Sequence, residues 1–167
     1  MSNWCWNKIC ISGDSKEIKR FLTGGIGEDE NDLSFLEAYY PCPVELRTEV
    51  KDEEERKNRI AKYGFDGWYN WCRKHWDAKW HENLLHVEYV DGASTGSITF
   101  ESAWTPPLAG YGKISEQFPN LKFEFYYEEP SMAYCGDAII QNGMIDDDCR
   151  EYVNDDEEDE EETEIAG

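Results

Sequence analysis

Basic residues are scarce in this chain of 167 residues: Lys and Arg number 16 against 37 Asp and Glu, a formal charge of −21. A protein that coats nucleic acid needs clustered Lys and Arg to displace counterions from phosphates, so the balance excludes that class. It excludes docking on an anionic membrane surface for the same reason. Long apolar runs are missing too, and no stretch approaches the roughly 20 residues that span a bilayer. The start, Met1-Ser2-Asn3-Trp4-Cys5-Trp6-Asn7-Lys8, has no basic segment followed by an apolar one. A signal peptide is therefore not expected, and the protein should stay in the compartment where it is made. No C-x-x-C pair occurs among Cys5, Cys10, Cys42, Cys72, Cys135 and Cys149. Without a secretory signal these thiols are expected to be reduced, most of them serving as small buried hydrophobes.

The familiar catalytic patterns are also absent. There is no G-x-S-x-G, and Cys72 and His75, three apart, need a shaped pocket that sequence does not supply. Gly24-Gly25-Ile26-Gly27 follows a helical pattern and carries no Lys, so it reads as a loop and not a phosphate cradle. His75, His81 and His86 are six and five apart, which does not place two imidazoles on one helix face as a zinc site would. Asp146-Asp147-Asp148 and the run Asp155 to Glu162 lack the alternating D-x-D-x-D-G spacing that wraps one cation. No catalytic residue, metal or cofactor is expected.

Aromatic residues are plentiful, at 14% with seven Trp, so a packed core is available. Asn7 to Ser12 alternates as a strand, with Asn7, Ile9 and Ile11 on one side. Asp14 caps a helix with Glu17 three residues on and Ile18, Phe21 and Leu22 as its buried stripe. Leu84 to Val90 and Ser97 to Glu101 read as a hairpin, and Pro106-Pro107 opens a second helix carrying Leu108, Tyr111, Ile114 and Phe118. Leu121 to Tyr127 alternates again, and two further strands meet at Asn142-Gly143, a strong turn pair. With an inserted helical segment at about residues 49–80 set aside, the order is β-α-β-β-α-β. That is an α+β fold, a ferredoxin-like sheet with helices on one face. The name describes topology, since the Cys spacing excludes an iron–sulfur cluster of ferredoxin type.

Charge is unevenly spread. From Asp146 to Gly167 there are 13 acidic residues and one Arg, including eight consecutive carboxylates. Such a run repels itself and has no apolar period, so residues 154–167 are expected to form a disordered acidic tail on a domain of residues 1–153. Glu49 to Lys62 alternates signs, with Glu53–Lys57 and Glu55–Arg59 four apart and the acid first, and reads as an exposed helix. Trp68, Cys72, Trp76 and Trp80 fall four apart. On one helix they make an apolar stripe, which the spacing favours as core, while a Trp left at its edge would suit a partner or a base.

Four stretches resemble the YubB-like proteins of phages and plasmids. They are Asn3-Trp4-Cys5-Trp6-Asn7, then Pro41-Cys42-Pro43, then Tyr63 to Cys72 with Trp76 to Trp80, and Phe100 to Pro107 with Phe118-Pro119. The resemblance implies a mobile-element origin, a ferredoxin-like domain and no catalytic residues to carry over. Joined to the −21 charge, it leads to the expectation of an acidic inhibitor of a host nucleic-acid-dependent defence system. Such an inhibitor, of anti-CRISPR or anti-restriction type, would act in the host-cell cytoplasm by mimicking DNA. Its partner would be a nuclease or CRISPR effector with a basic nucleic-acid-binding surface, with no direct contact to nucleic acid or membrane. The partner-binding candidates are Glu53, Glu54, Glu55, Asp146, Asp147, Asp148, Trp68 and Trp76. The alternative is a small nucleotide- or ligand-binding protein, or an enzyme, using the Trp-rich insertion beside the sheet.

Overall fold

The computed structural model describes residues 3–25 and 33–153. Strand β1, Trp4–Ser12, buries Cys5, Asn7, Ile9 and Ile11 and turns the residues between them outward. Helix α1, Ser15–Gly24, starts where the Asp14 carboxylate accepts the Lys16 N–H at 2.9 Å, and it buries Ile18 and Phe21. Glu17 does not close a capping box; it pairs with Arg20 at 2.8 Å. Then come α2 (Phe35–Tyr39), a 3-10 turn (Val44–Arg47), α3 (Glu53–Tyr63) and α4 (Trp68–His75). Strands β2 (Asn83–Glu88) and β3 (Thr95–Ala103), helix α5 (Leu108–Gln117) and strands β4 (Lys122–Glu129), β5 (Tyr134–Gln141) and β6 (Met144–Glu151) complete the described chain.

The sheet runs β2-β3-β1-β4-β5-β6, with every neighbouring pair antiparallel. The first four strands are the ferredoxin-like sheet, and the β5–β6 hairpin widens it beyond β4. Asn142 and Gly143 both take positive φ, 48° and 81°, as the tight turn between these strands requires. One sheet face carries α1, α2 and α5. Between them lies an aromatic core in which Phe21 stacks on Phe35 at 4.4 Å and meets Phe118 and Phe123 edge-on. Tyr111 of α5 lies parallel to Phe100 at 5.9 Å. Helix α5 reaches this close because of Gly110, where a Cβ would come within 2.4 Å of Leu36 Cδ2.

Two sequence expectations are corrected. The Trp stripe is not one helix: α4 ends at His75, Trp76 caps it, and Asp77 turns to φ 64°. Trp76 is core, 1% exposed, with its Nε1–H donated to the Tyr40 carbonyl at 2.8 Å, so it cannot touch a partner. Helix α3 is exposed as expected except for Arg59, which is 4% exposed. Its guanidinium donates to the Thr48 and Asp66 carbonyls at 2.8 and 3.2 Å and pairs with Glu55 at 2.8 Å, tying α3 to the loops on either side. The acidic run from Asp155 and the loop glycine Gly27 lie outside the described residues.

Candidate functional site

No described helix lies over the second face of the sheet. Alternation sets its contents: Ile9, Ile11, Ile98, Phe100, Phe123, Phe125, Ala138 and Ile140 point to the helices and are buried. Their neighbours in sequence point the other way. The strand register arranges these outward residues in rows. One row reads Asn83, Glu101, Trp6, Glu128, Cys135, Arg150. The next reads His86, Thr99, Lys8, Tyr126, Asp137, Asp148, and the third Glu88, Ser97, Cys10, Glu124, Ile139, Asp146.

Carboxylates outnumber cations on this face. Arg150 contacts Asp137 at 2.5 Å and Asp148 at 3.6 Å, and Lys122 pairs with Glu124 at 3.0 Å. Glu101, Glu128 and Asp146 have no cation within 4 Å among the described residues. Neighbouring strands lie about 4.8 Å apart, so the Glu101 and Glu128 backbones flank Trp6 across about 10 Å. Trp6 and Trp4 are each 37% exposed, an unusual outlay of indole on a sheet surface. Trp6 is propped edge-on by Tyr126 at 6.1 Å, and Trp4 lies 6.4 Å from Trp80. The centre of the face is thus a held indole between uncompensated carboxylates.

The sequence candidates fall in separate places. Asp146 and Asp148 lie on the open face. Asp147, between them, points to the opposite side and accepts the Tyr127 hydroxyl at 2.6 Å. Glu53, Glu54 and Glu55 occupy the first turn of α3, in the insertion. Two of them are internally engaged, Glu53 with Arg56 at 3.4 Å and Glu55 with Arg59 and the Lys51 N–H. Trp68 is half-buried and stacks on Trp80 at 6.4 Å. The face also holds residues the sequence reading missed: Trp4, Trp6, Glu101, Glu124, Glu128 and Asp137. The available signal was Trp4-x-Trp6-x-Lys8, an alternation whose outward phase carries indoles.

The buried thiols are poor nucleophiles. Burial pushes the Cys5 thiol up to about 12 and raises Cys42 and Cys72 as well. His75 Nδ1 is 2.7 Å from the Tyr40 hydroxyl, so that nitrogen is taken by Tyr40, and burial lowers the imidazole's affinity for a proton. His81 lies 3.8 Å from Glu37 and His86 3.7 Å from Glu88, so the three imidazoles sit in three different settings. No described helix is long and apolar enough to cross a membrane.

The ferredoxin-like domain found in Api92-like proteins matches residues 75–167, over half of the chain. A crystal structure of protein Api92 from Yersinia pseudotuberculosis has the same fold, with a TM-score of 0.52 over 92% of this chain and 99% of that one. Identity between the two is 11%, so the likeness is one of fold. No curated protein matches the chain.

Proposed function

The chain belongs to the Api92-like family through its ferredoxin-like domain, and from that premise we propose that it is an acidic binding protein that inhibits a host nucleic-acid-dependent defence system. The observation that carries this reading is the uncovered sheet face, with Glu101, Trp6 and Glu128 in one row and Asp146 beyond. Duplex DNA carries about one negative charge per 1.7 Å of axis, and proteins that grip it line a groove with Lys and Arg. A rigid sheet presenting carboxylates on several parallel strands suits such a groove without the entropy loss of ordering a flexible run. The net charge of −21 steers the encounter with a basic site. Trp6 and Trp4 supply the apolar anchors that hold a complex once formed. The resemblance to YubB-like phage and plasmid proteins gives the setting, a mobile element whose host cuts foreign nucleic acid. The target is a nuclease of restriction or CRISPR type in the host cytoplasm, and the protein itself performs no reaction.

The test is inhibition of purified restriction and CRISPR nucleases by the full chain, measured as cleavage rate against inhibitor concentration. The expected result is inhibition that weakens steeply between about 50 and 300 mM salt as screening increases. Uncut duplex should compete with the protein for the enzyme. Inhibition insensitive to salt and to duplex would overturn DNA mimicry.

A further inference from the structure

A recess lies on the opposite side of the sheet from the acidic face. It is a cleft of about 480 Å³, within the range of small-molecule sites. One wall carries Arg73 of α4, Lys79 and Trp104, and the other carries Tyr127, Tyr134 and Asp147.

Three features set it apart from an ordinary surface dent. The first is charge. In a chain of net −21, Arg73 and Lys79 have no carboxylate within 4 Å among the described residues. Both sit over the Trp104 ring instead, at 5.6 and 5.3 Å from its centroid, and Lys79 also lies 4.3 Å from that of Trp80. Two cations without an ion-pair partner thus lie beside one indole, with the Asp77 and Asp147 carboxylates elsewhere in the same lining.

The second is backbone strain. Trp104 and Asp77, which both border the cleft, hold φ of 69° and 64°. For an indole-bearing residue such as Trp104 that conformation is an outlier, and strained backbone gathers at ligand sites. Trp104 is held there from both ends: its N–H donates to the Asn3 carbonyl at 2.8 Å, and its own carbonyl accepts from the Tyr134 hydroxyl. Asp77 is held by the Ala109 N–H, which donates to it at 3.0 Å, and by the Thr105 hydroxyl, which donates to its carbonyl. The third is a free acceptor. Asp147 Oδ1 takes the Tyr127 hydroxyl at 2.6 Å, and its other oxygen has no donor among the described residues.

We propose that this cleft binds a mononucleotide. Its phosphate is held by Arg73 and Lys79, its base lies against Trp104, and an exocyclic amine of the base donates to Asp147. The site is independent of the acidic face, because Asp147 points away from it while Asp146 and Asp148 point into it. The amine contact sets specificity: adenine, guanine and cytosine present such a donor, and uracil presents none.

The experiment is calorimetric titration of the full chain with AMP, CMP, GMP, UMP, adenosine and inorganic phosphate, with AMP repeated on two variants. The expected result is saturable AMP binding, with adenosine and phosphate each at least about tenfold weaker. UMP should be weaker by a similar factor. The double variant Arg73→Ala/Lys79→Ala changes exposed or half-exposed side chains, so its melting temperature should stay put while AMP affinity falls at least about tenfold. Asp147→Asn should shrink the AMP-to-UMP preference without abolishing binding, because its amide can donate to a uracil carbonyl. No saturable AMP binding at millimolar concentration would overturn the proposal. So would phosphate binding as tightly as AMP, or AMP affinity unchanged in the double variant.

Discussion

Replacing Glu82 tests how α2 is fastened to α5. This carboxylate is 3% exposed and lies between segments far apart in sequence. It accepts the Ser34 hydroxyl at 2.7 Å, the Leu36 N–H at 3.1 Å and the Tyr111 hydroxyl at 2.8 Å. It thus joins the start of α2 to the middle of α5. Glu82→Ala leaves up to three buried donors without an acceptor, each costing about 1–3 kcal/mol, offset by relief from burying a carboxylate. The expected net loss is about 3 kcal/mol. Glu82→Gln keeps an oxygen for Leu36 and Tyr111 and sets its amide against the Ser34 oxygen, so its cost near neutral pH should be within about 1 kcal/mol.

The pH dependence separates these variants further. Burial raises the Glu82 pKa, opposed by its three hydrogen bonds. The folded state therefore keeps a proton that the unfolded chain has already released. The stability this group contributes is full below the ordinary carboxylate pKa. It falls as pH rises from there through the raised native value, by at most about 1.4 kcal/mol per pH unit. Glu45, Glu55 and Asp66, lowered mainly by hydrogen bonds to Tyr63, the Lys51 N–H and Arg56, act with the opposite sign at lower pH. They are common to both proteins, so the difference between wild type and Glu82→Gln isolates Glu82. Urea unfolding followed by Trp fluorescence from pH 5 to 8 gives that difference. The same slope for both proteins would mean that burial does not raise the Glu82 pKa, and a Glu82→Ala variant as stable as wild type would mean that Glu82 does not tie α2 to α5.

Trp76→Ala should cost about 3–5 kcal/mol in urea unfolding, because it empties a fully packed indole site and orphans the Tyr40 carbonyl. Trp6→Ala should cost less than about 1 kcal/mol in the same assay, since its ring is partly in water, yet weaken target binding by about 2 kcal/mol. Arg59→Ala should make α3 more open to hydrogen exchange while the sheet amides stay protected, since Arg59 is the one buried side chain of that helix.

The fold was legible where one period dominated. Leu121, Phe123, Phe125 and Tyr127 announce β4 by strict alternation, and Asn142-Gly143 fixes the β5–β6 turn through its demand for positive φ at both positions. Asp14 likewise marks the start of α1. The Trp68–Trp80 stripe misled because a spacing of four is helical only while the backbone is, and Asp77 leaves the helix region without a Gly or Pro to signal it. Burial of Arg59 depends on carbonyls from Thr48 and Asp66, which no local pattern reveals. The open face was half visible. Asp146 and Asp148 stood out within an acidic run, but that they face Trp6's side while Asp147 does not depends on register across four strands. Glu101 and Glu128 come beside Trp6 only once β3 and β4 flank β1.

The proposed function requires that the open sheet face, and not acidity in general, engage a basic nucleic-acid groove. The direct measurement compares two triple charge reversals of equal size in a nuclease-inhibition assay with binding kinetics. One is Glu101→Lys/Glu128→Lys/Asp146→Lys on the sheet face, and the other is Glu53→Lys/Glu54→Lys/Glu55→Lys on α3. Each should be checked for an unchanged near-ultraviolet spectrum before use. The sheet-face variant should lose inhibition, through a slower on-rate and a faster off-rate, while the α3 variant slows association only modestly. Equal loss from both variants would contradict the proposed function, as would full inhibition by the sheet-face variant.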